Sequence, residues 1–118
     1  MKANYLIAVA AVAMLAGCAK TDHYNWGDYQ SSLYDYYADK AGEADYIKSL
    51  DVIIADEAKG KKTPPGIYAE AGFMALSRGD SAKAIDLFTR EKTLWPESTA
   101  FMDKAIANAR NGKSARIS

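Results

Sequence analysis

Hydrophobic residues recur at helical spacing along most of the chain, and no long stretch alternates as a half-buried strand would. The pattern predicts an all-α protein of about five helices. The predicted helices cover about 26–40, 43–59, 63–77, 80–94 and 97–110. Glycine or proline separates most of them, as expected at helix ends.

The turns between the predicted helices carry capping residues. Thr63 is expected to cap the third helix, because it precedes two prolines that the first helical turn tolerates. Asp80 is expected to cap the fourth helix. We interpret Arg78-Gly79-Asp80 as a helix-hairpin turn rather than as an adhesion tripeptide.

The third and fourth helices resemble one tetratricopeptide repeat, a helix–turn–helix unit of 34 residues. The small residues Gly72 and Ala84 are expected to let the two helices approach closely, with Phe88 filling the space beside them. Glu91 departs from the repeat pattern, since a small residue is usual there. The matching positions are Tyr68, Gly72, Gly79, Ala84, Phe88 and Pro96. The chain is therefore expected to form tetratricopeptide-like (TPR-like) helical hairpins over 26–112, followed by a tail at 113–118.

Glu91 is the acidic residue that the pattern places at a packed position. Three roles remain open for it: an ion pair with Arg78 or Lys92, hydrogen bonds to a partner's amides, or a satisfied structural carboxylate. The structural role is favoured. The acidic residues at 35, 39, 43 and 45 alternate with lysines at 40 and 48, which is typical of a solvated face and not of a hydrolytic carboxylate pair.

The N-terminal segment has the organisation of a signal peptide. One lysine is followed by twelve uncharged residues, Tyr5 to Ala16, which is too short a run to span a bilayer. It ends in Leu15-Ala16-Gly17-Cys18, which resembles the lipobox of bacterial lipoproteins. An ordinary secretory signal is the alternative.

The lipobox resemblance implies cleavage after residue 17 and lipidation of Cys18, with further acylation of the new N-terminus. Ala19, in place of aspartate, implies sorting to the outer membrane, on its periplasmic face. Residues 18–25 are then a lipidated tether. His23 lies in this tether, where a catalytic base would lack a fixed geometry.

Composition narrows the function classes further. Hydrophobic residues make up 49% of the chain, which is typical of a globular protein. Because 15 basic residues balance 15 acidic ones, no basic surface for binding nucleic acid is expected. One cysteine and one histidine cannot form a usual zinc site. We expect no metal, no cofactor other than the covalent lipid on Cys18, and no enzymatic activity.

Aromatic residues concentrate in the first predicted helix. One helix face can bury only part of them, and Trp26, Tyr29, Leu33 and Tyr36 are expected to be core. Tyr34 and Tyr37 are expected to bind a partner, because a tyrosine ring is apolar and its hydroxyl can form hydrogen bonds. Phe73 and Leu76 are expected to line the small groove of a TPR-like pair.

Several stretches resemble a family of small bacterial lipoproteins of unassigned function. The stretches are 26–29, 33–37, 63–70, 91–98 and 101–102, and the resemblance extends from about Tyr24 to Arg110. It implies a gene beside one for a lipoprotein similar to the curli secretion channel CsgG. We therefore expect a lipid-anchored adaptor that assembles with other outer-membrane lipoproteins. The alternative is a structural homo-oligomer of the envelope without a dedicated client.

Overall fold

A computed structural model describes residues 23–39 and 42–112 and shows only helices within them. This confirms the all-helical prediction. The helices are α1 (Tyr29–Asp39), α2 (Glu43–Asp56), α3 (Ile67–Ser77), α4 (Ser81–Leu94) and α5 (Thr99–Arg110). Short 3₁₀ turns at Glu57–Lys59 and Pro96–Ser98 extend α2 and precede α5. The leader, Cys18 and the C-terminal tail lie outside the described residues.

The helices pack as a consecutive series, since each makes most of its contacts with its neighbours in sequence. The apolar core lies between α2, α3, α4 and α5. Its largest fully buried side chains are Leu50, Ile53, Pro64, Ile67, Phe88 and Met102. Helix α1 lies at one end of the series and contributes the half-buried Tyr29, Leu33 and Tyr36.

The close helix–helix approach expected at Gly72 is present. A Cβ atom at this position would lie 2.5 Å from Cε1 of Phe88, which is much less than a normal contact. Ala84 and Phe88 are both fully buried in α4. Gly72 therefore allows the Phe88 ring to lie directly against the backbone of α3, as the sequence predicted.

Of the two predicted helix caps, one is confirmed and the other is wrong. Asp80 caps α4 as expected, because the backbone N–H of Lys83 donates to its Oδ1 at 3.0 Å. The prediction for Thr63 is wrong, since α3 begins only at Ile67, after Gly66. Thr63 is instead buried, and its hydroxyl donates to Oε2 of Glu57 at 3.3 Å.

The start of α1 also differs from the prediction. The chain turns at Gly27, which has a φ of 45°, and the helix begins at Tyr29. Trp26 therefore lies before the helix and is 40% exposed, so its assignment to the core is wrong. Tyr24 and Asn25, which the sequence placed in the tether, already contact the domain. The Tyr24 ring packs edge-on to Trp95 at 5.8 Å, and Asn25 N donates to Lys62 O at 2.8 Å.

None of the helices in 23–39 and 42–112 combines the length and apolar character needed to cross a bilayer.

Candidate functional site

One carboxylate, that of Glu70, accepts hydrogen bonds from both α1 and α2. Glu70, in the first turn of α3, accepts a hydrogen bond from Tyr29 Oη of α1 at 2.6 Å on one oxygen. Its other oxygen accepts a hydrogen bond from Tyr46 Oη of α2. Glu70 forms no ion pair within the described ranges. Three helices therefore meet at one negative charge that only neutral donors satisfy.

The environment of Glu70 keeps both phenols protonated. Burial raises the pKa of Tyr29 and of Tyr46 above the ordinary tyrosine value, and the hydrogen bonds to Glu70 raise both further. Both effects disfavour the phenolate, which would be desolvated and close to another negative charge. The two hydroxyls are therefore hydrogen-bond donors throughout the physiological pH range.

The rings around this carboxylate form one continuous cluster on the inner side of α1. Tyr46 stacks on Tyr36 with ring centres 5.2 Å apart and also lies 6.2 Å from Tyr29. Trp26 extends the cluster beside Tyr29 at 5.4 Å. At the solvent-exposed edge of the cluster, the ring of Tyr37 contacts that of Tyr36, with the ring centres 5.5 Å apart. Aromatic pairs in such orientations stabilise a fold by more than the burial of their apolar area alone. The cluster fixes which face of α1 points inward.

The outer face of α1 exposes the two tyrosines singled out from the sequence. Tyr34 is 73% exposed and Tyr37 is 76% exposed. Their rings are the most exposed large hydrophobic groups among the described residues. Both side chains are accessible to a partner, while the opposite face of the same helix is held against α2 and α3.

The other two predicted partner-binding residues, Phe73 and Leu76, are less exposed than Tyr34 and Tyr37. Leu76 is only 6% exposed and belongs to the core, so it cannot line a groove for a partner as expected. The reason is that Leu76 lies on the face of α3 that packs into the helix series. Phe73 is half-buried, with its ring centre 4.9 Å from Phe88 and 6.1 Å from the half-exposed Phe101 of α5. Only part of the Phe73 ring is therefore accessible to a partner.

Glu91 is a structural carboxylate that stabilises the start of α3. It is 3% exposed, and it accepts the backbone N–H of Gly66 at 2.7 Å and that of Ala69 at 3.3 Å. Burial raises the pKa of Glu91, and these two amide bonds oppose the rise. The cations considered as its partners bind elsewhere: Arg78 pairs with Glu43 at 3.4 Å and Lys92 with Asp103 at 2.6 Å.

Glu57, directly after α2, resembles Glu70, because its carboxylate also accepts hydrogen bonds from two hydroxyl groups. Its carboxylate accepts hydrogen bonds from the hydroxyls of Tyr68 and Thr63. Sequence reasoning missed Glu57 and Glu70 because their donors are distant in sequence, up to 41 residues away for Tyr29 and Glu70. Periodicity carries no signal for such pairs.

Three surface grooves accompany these contacts. A groove of about 600 Å³ lies between the end of α2 and α4 and includes Tyr68, Arg90 and Leu94. A polar groove of about 300 Å³ lies between α1 and α2, and an apolar one of about 290 Å³ lies over Leu50 and Ala75. In the described part of the chain, no three histidine, cysteine or carboxylate side chains converge as metal ligands would.

These features define a small all-α protein in which carboxylates link the helices through hydrogen bonds and α1 presents exposed tyrosines. The chain belongs to the family described as Domain of unknown function (DUF4810), whose model matches residues 23–105. No match was found among curated proteins, and none among solved structures.

Proposed function

We propose that this protein is a lipid-anchored, non-enzymatic adaptor at the periplasmic face of the outer membrane, where it docks other lipoproteins through the outer face of α1. The observation that carries the proposal is the pair of exposed rings, Tyr34 and Tyr37, on a helix whose inner face is fixed by Glu70. Tyrosine side chains suit binding, because each offers a large ring with only two side-chain torsions to order when it is covered. A CsgG-like lipoprotein is the proposed partner.

The lipobox sequence supports the anchor. Residues 1–17 have the charge and length of a signal peptide, and lipid on Cys18 would attach the mature chain to the membrane. Several acyl chains give stable anchoring, since each buried methylene contributes about 0.8 kcal/mol.

The contact between Tyr24 and Trp95 limits how far the domain could lie from such an anchor. Tyr24 follows Cys18 by six positions, and an extended chain reaches at most about 3.6 Å per residue, so the reach is roughly 20 Å. This short tether would confine α1 and its partner to one surface and raise their effective concentration.

The packing of α3 against α4 supports a TPR-like unit. Gly72 and Phe88 give the close approach typical of the paired helices, and α5 follows as a capping helix would. Proteins built from such units commonly bind other proteins, which agrees with an adaptor role.

The anchor is tested by metabolic labelling with a radioactive fatty acid and by membrane fractionation. The wild-type protein should incorporate label and fractionate with the outer membrane, whereas Cys18→Ala should do neither. An unlabelled wild-type protein in the soluble periplasm would contradict the proposal.

The docking surface is tested by crosslinking in intact membranes and identification of the products. The double variant Tyr34→Ala, Tyr37→Ala should lose the crosslink to a second, distinct lipoprotein while retaining its helix content. Phe101→Ala is the matched control, because Phe101 is a half-exposed aromatic residue on α5. Products containing only this chain would favour the homo-oligomer instead. Unfolding of the double variant would show that the two rings are structural.

A further inference from the structure

The N-terminal segment meets the domain at one end of the helix series. Adjacent helices run in opposite directions: Arg78, directly after α3, pairs with Glu43 at the start of α2 at 3.4 Å. Glu91, near the end of α4, accepts the N–H of Gly66, directly before α3, at 2.7 Å. The connections from α2 to α3 and from α4 to α5 therefore lie at the same end. We call it the tether end, and it consists of residues 24–28, 57–66 and 95–98.

Two contacts hold the N-terminal segment at the tether end. The backbone N–H of Asn25 donates to the carbonyl of Lys62 at 2.8 Å, and the Tyr24 ring packs against Trp95 with ring centres 5.8 Å apart. Tyr24 follows Cys18 by six positions, so a lipid on Cys18 would keep this end of the domain within roughly 20 Å of the bilayer.

The aromatic side chains of the tether end are of the kind that favours a membrane interface. Both tryptophans of the chain lie here, with Trp26 40% exposed and Trp95 half-buried beside the half-buried Tyr24. Leu94, directly before Trp95, is 42% exposed. Tryptophan and tyrosine are enriched at headgroup level in membrane proteins, because each ring is apolar and carries one polar group.

The charges of the tether end are mixed in sign. The loop 59–62 exposes three lysines, of which two contact Asp56 at 3.0 and 3.2 Å. Lys62 forms no ion pair within the described ranges, and Asp28 and Glu97 are exposed at the same end. A layer of zwitterionic headgroups matches such a surface, because its phosphates can bind lysines and its ammonium groups can bind carboxylates.

We infer that the tether end lies against the bilayer and that the surface covering it is the phospholipid headgroup layer. This inference rests on the proposed lipid anchor and adds the orientation of the domain. The helices then extend away from the membrane, toward the turn at Gly79. Tyr37 lies two turns after the start of α1, so the exposed tyrosines of this helix are accessible to a second lipoprotein from the side.

A second copy of the chain fits the tether end less well. The N-terminal segment crosses this surface, since Tyr24 and Asn25 both contact it. A symmetric dimer formed through this end would enclose the two segments that lead to Cys18, and both lipids would have to leave the interface to enter one bilayer.

The two tryptophans report the contact directly. The full lipidated protein is placed in phosphatidylethanolamine–phosphatidylcholine vesicles that contain lipid with a nitroxide on the headgroup, which quenches nearby tryptophan emission. The matched reporter combines Trp26→Phe, Trp95→Phe and Arg110→Trp. Arg110 is exposed and lies about 16 Å along α5 from Thr99, at the opposite end of the domain.

Wild type should be quenched several-fold more strongly than this reporter. Circular dichroism should show the same helix content in both proteins. Equal quenching would show that the domain has no fixed orientation on its tether, and would overturn the inference.

Lysine variants in the wild-type background provide a second measurement. Lys61→Gln with Lys62→Gln should reduce the tryptophan quenching, because phosphate contacts are lost. Lys48→Gln with Lys104→Gln is the matched control, since both lysines are exposed on helices and form no ion pair within the described ranges. The control should leave the quenching unchanged. Equal effects of the two pairs would contradict a headgroup contact at the loop 59–62.

The anchor and the orientation can fail separately. If the wild-type protein incorporates no fatty acid, the anchor fails and the orientation fails with it. If the protein is labelled but its tryptophans are quenched no more than the reporter, the anchor stands and the orientation is wrong. Unquenched emission that shifts with protein concentration at constant lipid composition would assign the tether end to a second copy instead.

Discussion

At the scale of single residues, three glutamates determine how the helices are joined. Glu57, Glu70 and Glu91 each accept two hydrogen bonds from neutral donors, and each set of donors includes a residue more than ten positions away. Hydrogen bonds to a charged group stabilise more than neutral ones, and a buried donor left without its acceptor destabilises by about 1–3 kcal/mol. These side chains therefore add hydrogen-bonded links between helices that also pack through the apolar core.

The titration of Glu91 should be visible in the pH dependence of stability. Because burial raises its pKa in the folded protein, the native state binds more protons than the unfolded state between the ordinary value of about 4.3 and the raised value. The free energy of unfolding therefore falls as pH rises through that window. Urea unfolding at a series of pH values should show wild type losing stability relative to Glu91→Gln across it.

The control for this measurement is Asp45→Asn, since Asp45 is exposed on α2 and forms no ion pair within the described ranges. The control should leave the pH dependence unchanged. If wild type instead gained stability over Glu91→Gln as pH rose, the amide bonds of Gly66 and Ala69 would outweigh burial, and the direction of the pKa shift would be wrong.

A methyl group at Gly72 should destabilise the protein. The added Cβ would lie 2.5 Å and 2.7 Å from two carbon atoms of the fully buried Phe88 ring. Overpacking of this kind costs about 1–3 kcal/mol, which exceeds the gain of about 1 kcal/mol in helix propensity. Gly72→Ala should therefore lower the free energy of unfolding measured with urea.

A double-mutant cycle tests the cause of that loss. In a Phe88→Leu background the smaller side chain leaves room for the methyl group, so Gly72→Ala should cost less there. An equal cost in both backgrounds would show that the Phe88 ring is not responsible.

At the scale of elements, α1 differs from the other helices in how it is held. Three hydrophobic side chains of α1, Tyr29, Leu33 and Tyr36, pack against the core, and none of them is fully buried. The hydrogen bond from Tyr29 to Glu70 supplies a polar link to α3 that the apolar contacts do not. The position of α1 relative to α3 therefore depends on this hydroxyl, and so does the orientation of its outer face.

Removal of the Tyr29 hydroxyl should loosen α1. Tyr29→Phe keeps the ring but removes one donor to a charged acceptor, which should reduce stability by about 1.5–3 kcal/mol if α1 unfolds with the rest. Tyr37→Phe is the matched control, because Tyr37 is exposed and forms no hydrogen bond among the described residues. Thermal unfolding followed by circular dichroism compares the two, and an equal loss for both would contradict the role of Glu70.

At the scale of the whole molecule, stability is graded along the helix series. The fully buried side chains belong to α2, the loop before α3, and α3 to α5, and none belongs to α1. Segments with few buried apolar contacts open more easily than core segments. The surface proposed to bind a partner is therefore on the least stable helix, which the partner would help to hold.

Amide hydrogen exchange should reveal this gradient in the full chain. Amides of α1 should exchange faster than those at the centre of α4, and Tyr29→Phe should accelerate α1 further while leaving α4 unchanged. Equal protection of α1 and α4 would show that the molecule opens only as one cooperative unit.

The sequence predicted the helices well where the signal was local. The Asp80 cap and the Gly72–Phe88 contact both follow from residues within one helical hairpin, and both are confirmed. The prediction for Thr63 failed because an N-cap signal competes with tertiary contacts: its hydroxyl donates to Glu57, and Gly66 turns the chain into α3. Leu76 was misplaced because spacing within one helix does not show which neighbour covers it.

The sequence by itself determined the all-helical architecture, the order of the helices and the concentration of tyrosines on α1, because periodicity, capping and composition are properties of neighbouring residues. Only the tertiary structure decided which carboxylates hold the helices together and which aromatic rings remain exposed. Those outcomes depend on donors and acceptors that are far apart in sequence and meet only when the helices have packed.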